Sequence, residues 1–301
     1  MTQLTYTPYD GSAKPFTIGL APLDSARWIE PDADLGRYLD EKRRLLRDYR
    51  DDIFVSEAGS ENAQQECLDL LAAYLCDQHP AIYRRKGDVV SAAGHSVDLA
   101  DTSVPPLLKA GSLISDDLVI MRRKTDGWHL VAGHVAFPSS WSLQEKFGRP
   151  MQAIHADVPG FGEGTRNATL ITRIFDNLQV PQPVERMNWS VNTTNELSLP
   201  TSKHRRPQGT TAPTLETRFA RVERQTLRKL PVSGDILFTI RVYVDPIAAI
   251  ANHPKASELA SSFATQLDAL DEQQVVYKGL VHQKAELVRQ LRVLAEVASS
   301  A

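Results

Sequence analysis

The chain has 301 residues, 42% of them hydrophobic, with a formal net charge of −3 and a pI near 6.3. That length and apolar content suit one large core with extensions. The charge provides no global field towards nucleic acid or an anionic membrane, and no apolar run approaches a membrane span.

Cys67 and Cys76 stand nine residues apart in one helical pattern, on roughly opposite faces, so they cannot pair within that helix. Without a Cys-x-x-Cys, the chain's own thiolates hold no iron–sulfur cluster. Met1 to Leu20 lacks a basic region followed by an apolar stretch, so no secretory signal is expected. The expectation is a soluble, cytoplasmic protein.

Residues 1–33 are polar and proline-interrupted, and read as an arm. Leu35, Tyr38, Leu39, Leu45, Leu46 and Tyr49 form a helical stripe, opening a helical extension over 34–114. A second helix starts near Ser60 or Asn62 and stops before Pro80. Residues 81–117 are mixed. A core over 115–247 follows, with strands at 118–121 and 128–137 joined through Thr125-Asp126-Gly127. Short helices come next across 142–158, then a longer one at roughly 165–178. Three more strands are expected at 185–193, 215–230 and 235–245, the last two joined through Pro231–Asp235. Residues 248–301 read as two helices packing back on the core. The basic run Lys203-His204-Arg205-Arg206-Pro207 reads as a solvated loop. The predicted class is α+β: two strands, helices, then three strands is the element order of a PAS-like antiparallel five-stranded sheet, with helices enclosing a pocket and helical extensions at both ends.

Polar clusters interrupt the apolar runs at 137–159, 186–189 and 221–227. His155 lies on a short apolar segment behind Lys146 and Arg149. A neutral imidazole there suits iron, and nearby cations suit propionates; the competing reading is a buried His bonded to backbone, which the residues alone favour. His129 and His134, five apart on a strand, should point to opposite faces, against a shared metal. Arg221, Glu223 and Gln225 share one strand face, and Val222, Arg224 and Thr226 the other. Either set can be a pocket lining or an exposed face with cross-strand ion pairs. On the preceding strand Trp189 reads as core, while Asn188 is unusual in a central strand. The Gly-rich stretch 159–165 lacks the residues of a P-loop or dinucleotide fingerprint, and no Gly-x-Ser-x-Gly elbow exists.

Phe137-Pro138-Ser139-Ser140-Trp141, Glu145-Lys146-Phe147-Gly148-Arg149, Ile154-His155-Ala156-Asp157-Val158-Pro159, Arg186-Met187-Asn188-Trp189 and Arg221-Val222-Glu223-Arg224-Gln225-Thr226-Leu227 together resemble the haem-dependent oxidative N-demethylase family. The resemblance spans roughly 115–247. It implies a PAS-like fold, haem b, and oxidation of small secondary amines such as dimethylamine with O2, releasing formaldehyde. Electrons would come from a separate NAD(P)H-linked flavin/iron–sulfur reductase. It further implies His155 as the iron ligand, with Lys146, Arg149, Arg173 and Trp189 in the cofactor-binding set. Asn188, Arg224, Gln225 and Tyr243 become the catalytic set on the sheet side. The alternative is a PAS-like haem or ligand sensor without turnover.

Overall fold

The computed structural model describes residues 4–201 and 214–300; the basic 203–207 run lies outside them. In chain order the elements are β1 (Ala21–Pro22), α1 (Leu35–Asp48), α2 (Arg50–Ile53), β2 (Phe54–Ser56), α3 (Glu61–Gln78), β3 (Arg84–Lys86), β4 (Val89–Ala92), β5 (His95–Asp98) and α4 (Pro106–Gly111). The core continues through β6 (Asp117–Lys124), β7 (Gly127–His134), α5 (Leu143–Lys146), α6 (Met151–Ile154), α7 (Arg166–Asn177), β8 (Val184–Asn192), β9 (Phe219–Lys229) and β10 (Ile236–Pro246). Helices α8 (Ala256–Asp268), α9 (Glu272–Tyr277) and α10 (Lys284–Ser299) complete it.

Antiparallel pairing joins seven strands in the order β1-β8-β9-β10-β6-β7-β2, and β3-β4-β5 form a separate small sheet. The five strands expected from periodicity are β6 to β10, and they are contiguous in this order. Two short edge strands extend them, drawn from the segments read as arm and helical extension. Two or three residues are too few for alternation to register. The small sheet occupies the region left as mixed, because Arg84, Arg85 and Lys86 are all exposed. Three α-helices rather than two follow β10 among the described residues; α9 is a six-residue helix set off by an Asp271–Gln274 capping box.

The two faces of the sheet bury different partners. On the rear face Leu118, Ile120 and Leu237 pack on Leu68, Leu71 and Leu75 of α3. Further along that face Trp189, Val191 and Val222 pack on Phe263 of α8 and Leu287 and Leu291 of α10. On the front face Val184, Leu227, Ile236 and Phe238 meet Met151 and Ile154 of α6 and Phe175 of α7. Each large side chain so buried stabilises the docking by about 1.5–3 kcal/mol. Phe137, Leu197, Ile240 and Val242 form the other end of the front face, beside Tyr38 of α1. Between these two front-face clusters the strands carry polar residues.

A register shift between Ile120 and Met121 interrupts the β6–β7 ladder, so the strict alternation expected between His129 and His134 does not hold. The two rings are nonetheless in separate environments. His129 is bonded at Gly148 O and the Asp126 carboxylate, both at 2.9 Å. His134 is fully buried, and neither ring nitrogen has a hydrogen-bond partner among the described residues.

Candidate functional site

Three rungs of the β8-β9-β10 ladder make the polar floor. They are Arg186–Gln225–Ile240, Asn188–Glu223–Val242 and Ser190–Arg221–Val244; directly paired residues share a face. Val184, Leu227 and Phe238, next along the same face, contact α6 and α7, so these rungs open towards His155. The alternate positions Trp189, Val191 and Val222 are claimed by the C-terminal helices. An antiparallel sheet so anchored usually leaves its polar face in water. Here that face is partly roofed, and Arg221 is fully buried.

His155 owes its position to a one-turn helix. Pro150 precedes the first residue of α6 and fixes an extended entrance. His155 caps the other end, and Val158-Pro159-Gly160 turns the chain away, with Gly160 at φ +78°. The His155 Nδ1 lies 2.9 Å from Met151 O, so Nδ1 carries the proton and donates it. Nε2 makes no hydrogen bond to a described residue. Burial holds the imidazole below its ordinary pKa, with Lys146 and Arg186 pushing the same way and the Met151 bond opposing. The ring is therefore neutral at pH 7, with a free lone pair on Nε2.

The cations divide sharply. Lys146 Nζ donates to Ile154 O at 2.7 Å, and burial lowers its pKa. Arg186 sits close enough to oppose protonation of His155. Its buried Nε has no hydrogen-bond partner among the described residues, and burial lowers its pKa against the attraction of Glu223. The residue as a whole is partly exposed, so its charge stands at the edge of the floor with that one nitrogen unused. Arg149 and Arg173, expected beside the cofactor, are both exposed.

Glu223 accepts from Gln225 Nε2 at 3.1 Å and lies 3.8 Å from Arg221 Nε. Arg221 spends Nη1 on Leu197 O at 2.8 Å and Nη2 on Phe137 O at 2.6 Å. It thereby ties the 137–141 and 197–199 segments over one end of the floor. Beyond that tie an open cleft of about 1190 Å³ runs between α1 and the 195–200 segment, and its lining includes none of the polar floor. On another side the Tyr277 phenol, in a residue 42% exposed, is pushed up to about 12 by desolvation, reinforced by Glu223 and Asp157.

The structure separates the catalytic set read from sequence. Asn188 and Gln225 face the His155 side. Arg224 and Tyr243 of that set, and Trp189 of the expected cofactor-binding set, stand on the opposite, rear face, so they do not share one pocket with Asn188 and Gln225. Arg224 bonds the Glu185 carboxylate at 2.8 Å, Trp28 O at 3.2 Å and Arg27 O at 2.6 Å. Tyr243 donates to Glu30 at 3.3 Å and meets Tyr6 edge-on at 5.2 Å. Trp189 packs against Phe263 at 5.2 Å, with Lys278 Nζ 4.2 Å from its ring. Sequence reasoning misses Arg186 and Glu223 as site residues, yet the period of two places both on the face of Asn188 and Gln225.

Among the described residues no group of three or more His, Cys, Asp or Glu could hold a metal ion. A porphyrin iron needs only an axial ligand from the protein, so a lone neutral His beside unpartnered cationic nitrogen fits haem better than a bare metal. The arrangement defines an α+β protein with a polar cup on one sheet face and a single free imidazole nitrogen above it. A family model described as haem-dependent oxidative N-demethylase, alpha subunit-like, matches residues 19–288, and the chain belongs to that family. The match extends well beyond the core read from sequence, through the edge strands and into α10.

Proposed function

We propose that the chain is the haem-carrying component of an oxidative N-demethylase, in which the front-face cup of a PAS-like core would take the group and His155 Nε2 would hold its iron. The observation that carries this reading is the His155–Met151 bond, which fixes the tautomer and leaves Nε2 free. An axial His commonly donates its other N–H to a backbone carbonyl in this way. Family membership supports haem dependence and oxidative N-demethylation; haem b, and a secondary amine of dimethylamine size, are the finer parts of the proposal.

Bound haem would supply reductive activation of O2. Arg186 and Lys146 would hold the propionates or other negative charge at the rim. Asn188, Glu223 and Gln225 would orient the amine and hold protons near it. In the net reaction one methyl group leaves as formaldehyde and the demethylated amine is released. One oxygen atom of O2 goes to formaldehyde and the other to water, consuming two electrons and two protons. A separate reductase would supply the electrons, in keeping with the alpha-subunit description.

Arg224, Tyr243 and Trp189 are assigned here to holding the arm and the C-terminal helices on the rear face. The test is anaerobic reduction of the haem-loaded protein, then exposure to O2 with dimethylamine. Stoichiometric formaldehyde is expected. A protein that binds haem and O2 but forms no formaldehyde from any small N-methyl amine would be a sensor, not an enzyme.

A further inference from the structure

We propose that Glu223 recognises the substrate as a cation, so that the cup selects small N-methyl ammonium ions that retain N–H bonds over fully substituted ones. This rests on the assignment of the front-face cup as the reaction site. Among the described residues Glu223 is the one carboxylate on the front face of β8, β9 and β10. By contrast, Glu185 on the rear face is bound by Arg224 at 2.8 Å. Glu223 is less engaged: Gln225 uses Oε2, and Oε1 has only the Arg221 Nε at 3.8 Å. That arginine's other nitrogens are committed to backbone carbonyls. Arg186, one rung away, makes no ion pair with Glu223 among the described residues.

Small alkylamines, like the lysine side chain with a pKa of about 10.4, are cations at neutral pH. A secondary ammonium has two N–H donors. One fits Glu223 Oε1, and the other fits the amide oxygen of Asn188, directly across the ladder, or of Gln225. A tertiary ammonium retains one donor and a quaternary ion none. A charge-assisted hydrogen bond is worth enough to change affinity roughly 10- to 100-fold.

The experiment is calorimetric titration of the haem-loaded protein with dimethylammonium, trimethylammonium and tetramethylammonium chlorides, with the Soret band recorded on each sample. Affinity is expected to fall in that order. Glu223→Gln is expected to weaken dimethylammonium binding by about tenfold or more with an unchanged Soret band. Equal binding of tetramethylammonium and dimethylammonium by the native protein overturns the inference, whether or not the variant folds. So does wild-type affinity in a folded, haem-loaded Glu223→Gln. A native protein with no Soret band after haem loading instead overturns the cup assignment, and this inference with it.

Discussion

Arg224 and Gln225 are adjacent in the chain and stand on opposite faces of the sheet. Gln225 pairs with Arg186 on the side of His155, whereas Arg224 is tied to Glu185 and to the arm's carbonyls at Arg27 and Trp28. One step along β9 separates a group on the His155 side from a group that fastens the N-terminal arm.

Arg224→Ala should therefore cost stability and leave the site alone. It strips a charged partner from Glu185 and two donors from buried carbonyls, a loss of about 3–5 kcal/mol. Urea denaturation should show that loss, with haem content and turnover per folded molecule unchanged. Native stability with lowered turnover would put Arg224 back at the site.

Arg186→Met should move stability and cofactor retention in opposite directions. Replacing a partly buried cation whose Nε is unpartnered by an apolar side chain of similar length is neutral or stabilising, by up to about 2 kcal/mol in the haem-free protein. Haem affinity should fall roughly tenfold or more, because a charge-assisted contact is lost. Haem transfer to an apomyoglobin acceptor measures the second effect; an unchanged transfer rate contradicts the assigned role.

The strands that carry these residues are legible in the amino-acid sequence, but their facing is not. Strands β8, β9 and β10 run nine to eleven residues, long enough for alternation to reveal them and to group Asn188 apart from Trp189. Which face meets His155 depends on α8 and α10 docking against Trp189 and Val222, contacts made by distant sequence. Arg149 and Arg173 have the right charge, but Arg173 is on the exposed side of the twelve-residue helix α7 and Arg149 is exposed in the turn between α5 and α6. His155 is legible as a residue. Its tautomer, set by the carbonyl of Met151, is not.

A buried pair behind the 136–137 segment sets a pH dependence. Burial pushes the Asp117 carboxyl up from 3.8 to about 6, although Lys42 and the amides of Ala136 and Phe137 oppose this. Burial also brings Lys42 down from 10.5 to about 8. Between about pH 4 and 6 the folded chain holds a proton on Asp117 that the unfolded chain has lost, so stability falls as pH rises. Between about pH 8 and 10.5 the unfolded chain holds a proton on Lys42 that the folded chain has lost, so stability rises with pH. Each limb is worth roughly 1–3 kcal/mol. Denaturation midpoints across pH should show both limbs; Asp117→Asn should shrink the acidic one and leave the part carried by Asp116 and Asp245, which burial also raises, and an acidic limb unchanged in that variant would remove Asp117 from it.

Gly111→Ala should be among the most damaging single-methyl changes. A Cβ built on Gly111 overlaps the ring of His134, which is itself fully buried. Over-packing of this kind costs about 1–3 kcal/mol or more. Thermal denaturation should show the loss, and a Gly111→Ala, His134→Ala double variant should recover part of it; equal loss in both variants would mean the clash is relieved elsewhere.

The absorption spectrum of His155→Ala, purified and haem-loaded beside the native protein, tests the central claim most directly. The native protein should show a Soret band with one haem per chain, and the variant should remain folded while losing the band or the axial-imidazole signature. A folded His155→Ala protein with the native spectrum and native haem content would contradict the assignment of His155 as the ligand.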